Sequence, residues 1–220
     1  MELRPLVLSF EVAVAATAIA AIFGVALGAA LTSPKVPGRN LLDVLFTTPM
    51  VLPPTVLGYY VLVAIGRRSA LGRAWESAFG SPIVFTALGA VVAATVGSLP
   101  IVMKSSRAAL EAVDPTLIGA ARTLGASRLR AMLTVELPLA LPGIAAGLML
   151  AFARALGDFG VTLMVAGDIP GQTQTAALAI YDAIQAGRDR EAAGMIAVLS
   201  AVAVATLSLV NRLTARRRDR

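Results

Sequence analysis

The sequence contains no cysteine and no histidine. The first absence excludes disulfides and thiolate nucleophiles. Together the two exclude the usual zinc sites and every histidine-based catalytic triad. Charge is scarce as well: 15% of the 220 residues are Asp, Glu, Lys or Arg, against roughly 25% in an ordinary soluble domain. Lysine occurs only at Lys35 and Lys104. Neither follows a glycine, so a phosphate loop ending in Gly-Lys is absent and ATP binding by that route is excluded. No carboxylate pair or activated nucleophile stands out. The chain reads as neither an enzyme nor the holder of a metal or cofactor.

What is present is apolar. Hydrophobic residues make up 57% of the chain and its mean hydropathy is +0.80, the composition of a polytopic membrane protein. No low-complexity linker or internal repeat divides it, so residues 1–220 read as one all-α membrane domain. A spanning helix needs about 20 mainly apolar residues, and five stretches qualify: Leu6 to Leu31, Leu41 to Ile65, Ile83 to Met103, Leu137 to Val165 and Ala192 to Val210. The first is too long, and too poorly led by basic residues, to be a cleaved signal peptide. Two segments between spans show amphipathic spacing: Leu71, Trp75 and Phe79, and Ala177, Tyr181 and Gln185 beside Ile180 and Ile184. They are expected as short helices at the membrane surface, available to an external partner.

The net charge of +6 would suggest nucleic acid in a soluble protein, but here the basic residues lie between apolar runs and report orientation. One side carries Lys35, Arg39, Lys104, Arg107, Arg122, Arg128, Arg130 and the tail from Arg212 to Arg220. The other carries Arg4, Arg67, Arg68, Arg73, Arg188 and Arg190, half as many. The positive-inside rule therefore predicts an outward N-terminus and a cytoplasmic C-terminus.

The cytoplasmic stretch from Arg107 to Glu136 holds the most specific pattern. Asp114-Pro115 predicts a capped helix start. Leu117, Ala120, Ala121 and Leu124 form an apolar face, and Gly125 is placed to end the helix in a left-handed turn. A second helix is expected from Ser127, giving a surface helix–turn–helix. Ala120-Ala121 is followed by three residues, Gly125, nine residues, and then Val135-Glu136-Leu137-Pro138. That spacing resembles the coupling loop of ABC-importer permeases, where Glu-Ala-Ala, three residues, Gly and nine residues precede Ile-x-Leu-Pro. Val135 stands where the family has Ile. Gly119 stands where it has Glu, which removes that residue's salt bridge and costs roughly 1 kcal/mol of helix propensity relative to Ala.

Three further stretches resemble molybdate permeases of the ModB type: Pro49 to Tyr59 with Gly66-Arg67-Arg68, Phe152 to Gly160, and Ile169 to Thr173. Tungstate and sulfate permeases share much of these. The resemblance implies the type I ABC-importer permease fold and a homodimer with the pathway on its axis. It also implies two copies of a cytoplasmic ATPase seated on the coupling loops, an external molybdate-binding protein, and a location in a prokaryotic inner membrane. By it, Gly119, Ala120, Ala121, Gly125, Leu137 and Pro138 form the ATPase-coupling loop.

Two features have more than one reading. Arg154 and Asp158 lie four residues apart in the fourth span, with Arg154 about 24 Å along it from Pro138. They read either as a structural ion pair or as positive potential for an entering oxyanion. Pro49, Pro53 and Pro54 interrupt the second span, which either lines the pathway or is a kinked packing helix. Gly24-x-x-x-Gly28 and Gly143-x-x-x-Gly147 permit close helix approach. A stand-alone secondary anion transporter would need intramembrane acids for ion coupling, for which Asp43 and Asp158 are the candidates.

Overall fold

The computed structural model describes residues 3–33 and 36–215, with side chains described through Arg212. Lys35 and the tail residues Arg216, Arg217, Arg218 and Arg220 lie outside the described residues, so their part in the orientation argument has no structural counterpart. Every regular element described is helical. Four helical stretches are long and apolar enough to cross a membrane: α1 (Arg4–Thr32), α5 (Ala87–Glu111), the continuous run Arg128–Leu156, and α11 (Asp189–Ala215). The second apolar stretch folds as a bent pair, α2 (Arg39–Val51) and α3 (Pro54–Ile65), whose axes bend by 117°.

The run Arg128–Leu156 contains α7 (Arg128–Ala131) and α8 (Leu137–Leu156), and the remaining helices, α4 (Ala70–Phe79), α6 (Pro115–Thr123), α9 (Gly160–Ala166) and α10 (Ala176–Gln185), are short. A π-helical turn, Met132–Glu136, joins α7 to α8. The second helix expected after Ser127 is therefore the start of the continuous run Arg128–Leu156 rather than an independent surface helix. Likewise α5 runs on to Glu111, so Arg107 belongs to a span and the connection between spans begins later than its charge suggests.

The core is made by α1, α5 and α8, and it is made of small residues. Ala13, Ala16, Ala20, Gly24 and Gly28 are buried along α1, facing Ala90, Ala94, Val102 and Met103 of α5 and Ala151 and Ala155 of α8. Small side chains let backbones approach, and in lipid that close packing replaces the hydrophobic drive available in water. At Gly28 a Cβ would stand 2.8 Å from the Met103 carbonyl oxygen, and at Gly24 2.8 Å from Val102 Cβ. Gly147 of α8 meets Ser105 of α5 just as closely. α11 flanks α8 and α10, and α3 lies along α9.

α10 turns its small residues inward. The buried face is Ala176, Ala179 and Ala183, while Tyr181 and Ile184 are exposed. The Ala176 amide donates to Ser9 Oγ at 2.7 Å, which turns the small face toward α1.

Gly28→Ala is expected to force α1 from α5 and lower stability by about 1–3 kcal/mol. Gly119→Ala, where the added Cβ meets nothing within 4 Å, should be neutral or stabilise by up to about 1 kcal/mol. Thermal unfolding of the two variants in one detergent checks the contrast.

Candidate functional site

Two of the five apolar stretches, Leu41 to Ile65 and Leu137 to Val165, are interrupted, and the interruptions meet. In the first, Leu52 and Pro53 are extended between α2 and α3. Pro49 stays inside α2 and does not break it; the break comes from Pro53-Pro54, where two successive residues lack an amide donor. In the second, the predicted fourth span ends at Leu156, and Gly157 to Phe159 separate α8 from α9. The contact between them is close: a Cβ on Gly160 would stand 2.7 Å from Pro54 Cβ. Gly97, near the middle of α5, lies alongside, where a Cβ would be 3.6 Å from Arg154 Nη2. The two breaks thus lie together, level with the middle of α5. α3 and α9 both run from them toward the end of the bundle remote from α6, burying Leu57, Val61, Val161 and Val165 between them and α5.

Arg154 and Asp158 sit at this junction, and the structure brings them together. Arg154 Nη1 donates to Asp158 Oδ1 at 2.8 Å. Asp158 is not on the same helix as Arg154; it lies in the break, and its Oδ2 accepts from the Thr162 amide at 2.9 Å and the Thr162 hydroxyl at 2.7 Å. The carboxylate therefore satisfies an amide at the start of α9, one of the donors that every helix start leaves without an intrahelical partner. Its side chain is 2% exposed while that of Arg154 is 39% exposed. Sequence spacing identified the pair but not the cap, because the i, i+4 count assumed one continuous helix.

Asp43 is also occupied. Its carboxylate lies 2.5 Å from Lys104 Nζ and 3.4 Å from Arg107 Nη1, and Arg107 Nε reaches Glu111 at 2.8 Å. This group ties α2, which has no buried residue, to the α6 end of α5. Both acids named for ion coupling are thus held by cations.

The α5–α8 connection is built as its sequence implies. The Asp114 carboxylate accepts the Thr116 amide at 2.8 Å, which holds its pKa below the ordinary carboxylate value, and Pro115 opens α6. At the other end Gly125 takes φ +89°. The Gly125 amide donates to Arg122 O at 3.0 Å and the Ala126 amide to Ala121 O at 3.1 Å. These two bonds define a Schellman stop with glycine at its left-handed position. Ser127 then caps α7 by accepting the Arg130 amide.

Ile118 anchors α6 against the cluster of Ala109, Leu110, Val113, Ala140 and Ile144. α6 buries none of its residues fully, and Leu117 and Leu124 are exposed, Leu124 at 89%. Gly119 and Ala120 are exposed, Ala121 is half-buried, and Leu137 and Pro138 begin α8 beneath them.

Asp158→Ala should strand the Thr162 donors and leave Arg154 uncompensated. The expected cost is about 3–5 kcal/mol, with Asp158→Asn losing less because its carbonyl oxygen can still accept from Thr162. Melting temperatures of the two variants should fall in that order; equal melting of Asp158→Ala and the unsubstituted protein would remove the capping role.

Residues 13–220 match the family described as the binding-protein-dependent transport system inner membrane component. The chain is 42% identical over 209 residues to the molybdenum transport system permease protein ModB of Escherichia coli strain K12, covering 95% of this chain and 91% of that one. It is 33% identical over 195 residues to the sulfate transport system permease protein CysT of the same strain, covering 89% of this chain and 70% of that one. Among solved structures, the MetNI methionine ABC transporter in inward-facing conformations matches with a TM-score of 0.74 at 17% identity, over 97% of this chain and 94% of that one. That likeness establishes the type I importer fold, as the broken spans and the capped connecting helix do locally, and with the match over nearly its whole length the chain belongs to the family of binding-protein-dependent transport system inner membrane components.

Proposed function

We propose that this protein is the membrane-spanning permease of an ATP-driven importer that carries molybdate across the cytoplasmic membrane. The observation that carries the class is α6: a short helix, capped at both ends, that leaves its small and apolar residues uncovered at one end of the bundle. A helix of this kind fits the helix-in-groove mode of docking. Its occupant is the separate ATPase subunit, one copy on each permease of a homodimer, and a separate external protein delivers the anion. Molybdate is preferred over sulfate because 42% identity to a molybdenum permease spans 95% of the chain, against 33% over 89% for the sulfate permease. A stand-alone ion-coupled transporter is disfavoured by the ion pairing of Asp43 and Asp158.

In this reading the coupling residues are Gly119, Ala120, Ala121, Gly125, Leu137 and Pro138. ATP-driven closure of the motors displaces α6. The displacement passes to α8 along α7 and the π turn, which form one uninterrupted helical run with it. The meeting breaks at Pro54 and Gly160 line the pathway, since irregular backbone at that depth persists only where it is buried in protein or borders a cavity. Asp158 is structural there. Arg154, whose guanidinium is partly open, offers a positive potential that a divalent oxyanion can pass. No covalent chemistry on the anion is required: the protein's task is alternating exposure of the pathway.

Three measurements test these assignments. Ala121→Glu places an unpaired charge in the docking contact, and Gly125→Val forces a β-branched residue into the left-handed region at a cost of about 1 kcal/mol or more. Both variants should insert and dimerise, yet lose ATPase co-purification or ATP-linked molybdate uptake in vesicles. Normal uptake by both would sink the coupling assignment, and sulfate uptake without molybdate uptake would move the substrate to the rival anion.

Arg154→Gln should keep a donor to Asp158 and so assemble, while slowing uptake. Failure to assemble, with no uptake defect in the fraction that does, would make Arg154 purely structural. For orientation, cysteines introduced at Ser81 and Ser127 should label from opposite sides of sealed cells, Ser81 from outside. Equal labelling by an impermeant reagent would overturn the topology.

A further inference from the structure

The end of the bundle remote from α6 holds a cavity of about 780 Å³ that no part of the transport reading uses. It is lined by Leu62, Val63 and Gly66 of the α3 end, by Arg67, Arg68 and Ser69 that follow, and by Pro82, Val84 and Phe85 before α5. Its volume falls in the roughly 300–1,000 Å³ range of ligand pockets. Its lining combines two kinds of chemistry, the aliphatic and aromatic residues Leu62, Val63, Val84 and Phe85 and the two arginines Arg67 and Arg68.

Phe85 is held in an uncommon conformation. It has φ +58°, outside the usual range for an aromatic residue. The strain is stabilised by the Phe85 amide donating to Val165 O at 3.0 Å and by Gly167 behind the ring, where a Cβ would stand 3.1 Å from Phe85 Cδ1. The ring is nonetheless 55% exposed, so the constraint presents it to the cavity instead of burying it. Arg67 makes one ion pair with Glu76 at 3.3 Å and is itself 64% exposed.

The cavity also sits at a definite depth. The apolar run of α3 stops at Ile65 and charge begins at Arg67, which is the transition from hydrocarbon to headgroup. α4 continues from there with Trp75 stacked on Phe79 at 4.1 Å, an aromatic pair suited to the interface.

We propose that this cavity is a binding site for an anionic phospholipid of that leaflet, with the phosphate beside Arg67 and Arg68 and an acyl chain against Leu62, Val63, Val84 and Phe85. Charge complementarity and depth both select this occupant. A zwitterionic lipid would fill the apolar part but gain less from the arginines, and a soluble anion would leave the aromatic and aliphatic wall bare. The inference stands apart from the identity of the transported anion.

The chain contains a single tryptophan, Trp75, six residues and about 9 Å along α4 from Ser69. Its fluorescence therefore reports on the site. The full chain is reconstituted in phosphatidylcholine vesicles containing an equal mole fraction of either brominated phosphatidylglycerol or brominated phosphatidylcholine. Two arginines beside one phosphate correspond to about a tenfold or greater enrichment of the anionic lipid, so the brominated phosphatidylglycerol should quench Trp75 at markedly lower mole fraction.

Arg67→Gln/Arg68→Gln should abolish that difference, while Arg190→Gln, a cation away from the cavity, should preserve it. Equal quenching by the two lipids would overturn the proposal. So would an unchanged difference in the double variant, which would assign it to general surface charge. Absence of quenching by either lipid would do the same, by showing the cavity to be covered by protein.

Discussion

In a hydrocarbon medium every backbone donor and acceptor has to find its partner inside the protein, and two of the five apolar stretches here are interrupted. That constraint governs the arrangement around the interruptions. Pro53 and Pro54 remove donors at one break, so that side needs few partners. Asp158 supplies an acceptor at the other, taking the first-turn amide and the hydroxyl of Thr162. The carboxylate cannot serve in that setting as an isolated charge, and Arg154 compensates it. The two breaks then cover one another, because Gly160 has no side chain to hold Pro54 away.

The rest of the bundle follows from the same placement. With α3 and α9 packed side by side on α5, the unbroken helices form the rigid frame through small residues along α1, α5 and α8. Packing of this type tolerates little, as Gly24, Gly28 and Gly147 illustrate. α2 is different. Without a buried residue, it is tied to the frame by Asp43 with Lys104 and Arg107 at one end and by the Pro53-Pro54 junction at the other. The protein therefore combines a closely packed frame with one helix that is held by charge, an arrangement suited to a pathway that must open and close.

The proposed coupling to a separate ATPase subunit calls for the opposite property, a surface element that does not collapse onto the body. α6 meets this through its two stops. Asp114 and Pro115 set its beginning, and the Schellman bonds at Gly125 set its end, so a nine-residue helix is defined although it buries little. Ile118 anchors it on the cluster around Val113 and Ile144. The π turn that follows joins α7 to α8 in one helical run, so the proposed displacement of α6 would reach the break at Gly157 along that run.

Much of this was legible in the residues. The five apolar stretches, the capped helix from Asp114 to Gly125, the small-residue seams and the proximity of Arg154 to Asp158 all depend on local chemistry: hydropathy over one span, side chains that cap, and a glycine where a left-handed turn is needed. Other features depend on what lies across the bundle. Prolines announce a break but not its angle, and the 117° bend and the harmlessness of Pro49 are decided by where α3 finds α9 and α5. Gly157 gave little warning that the fourth crossing divides, since the break is stabilised by Thr162 closing on Asp158 rather than by a helix-breaking residue. The phase of α10 followed the contact of Ala176 with Ser9, 167 residues away in sequence. Local sequence determined which segments are helical, apolar and capped, because those properties arise within a turn or two of chain. Only the tertiary structure decided which breaks meet and which charges are neutralised, because those depend on pairs of residues that no local pattern connects.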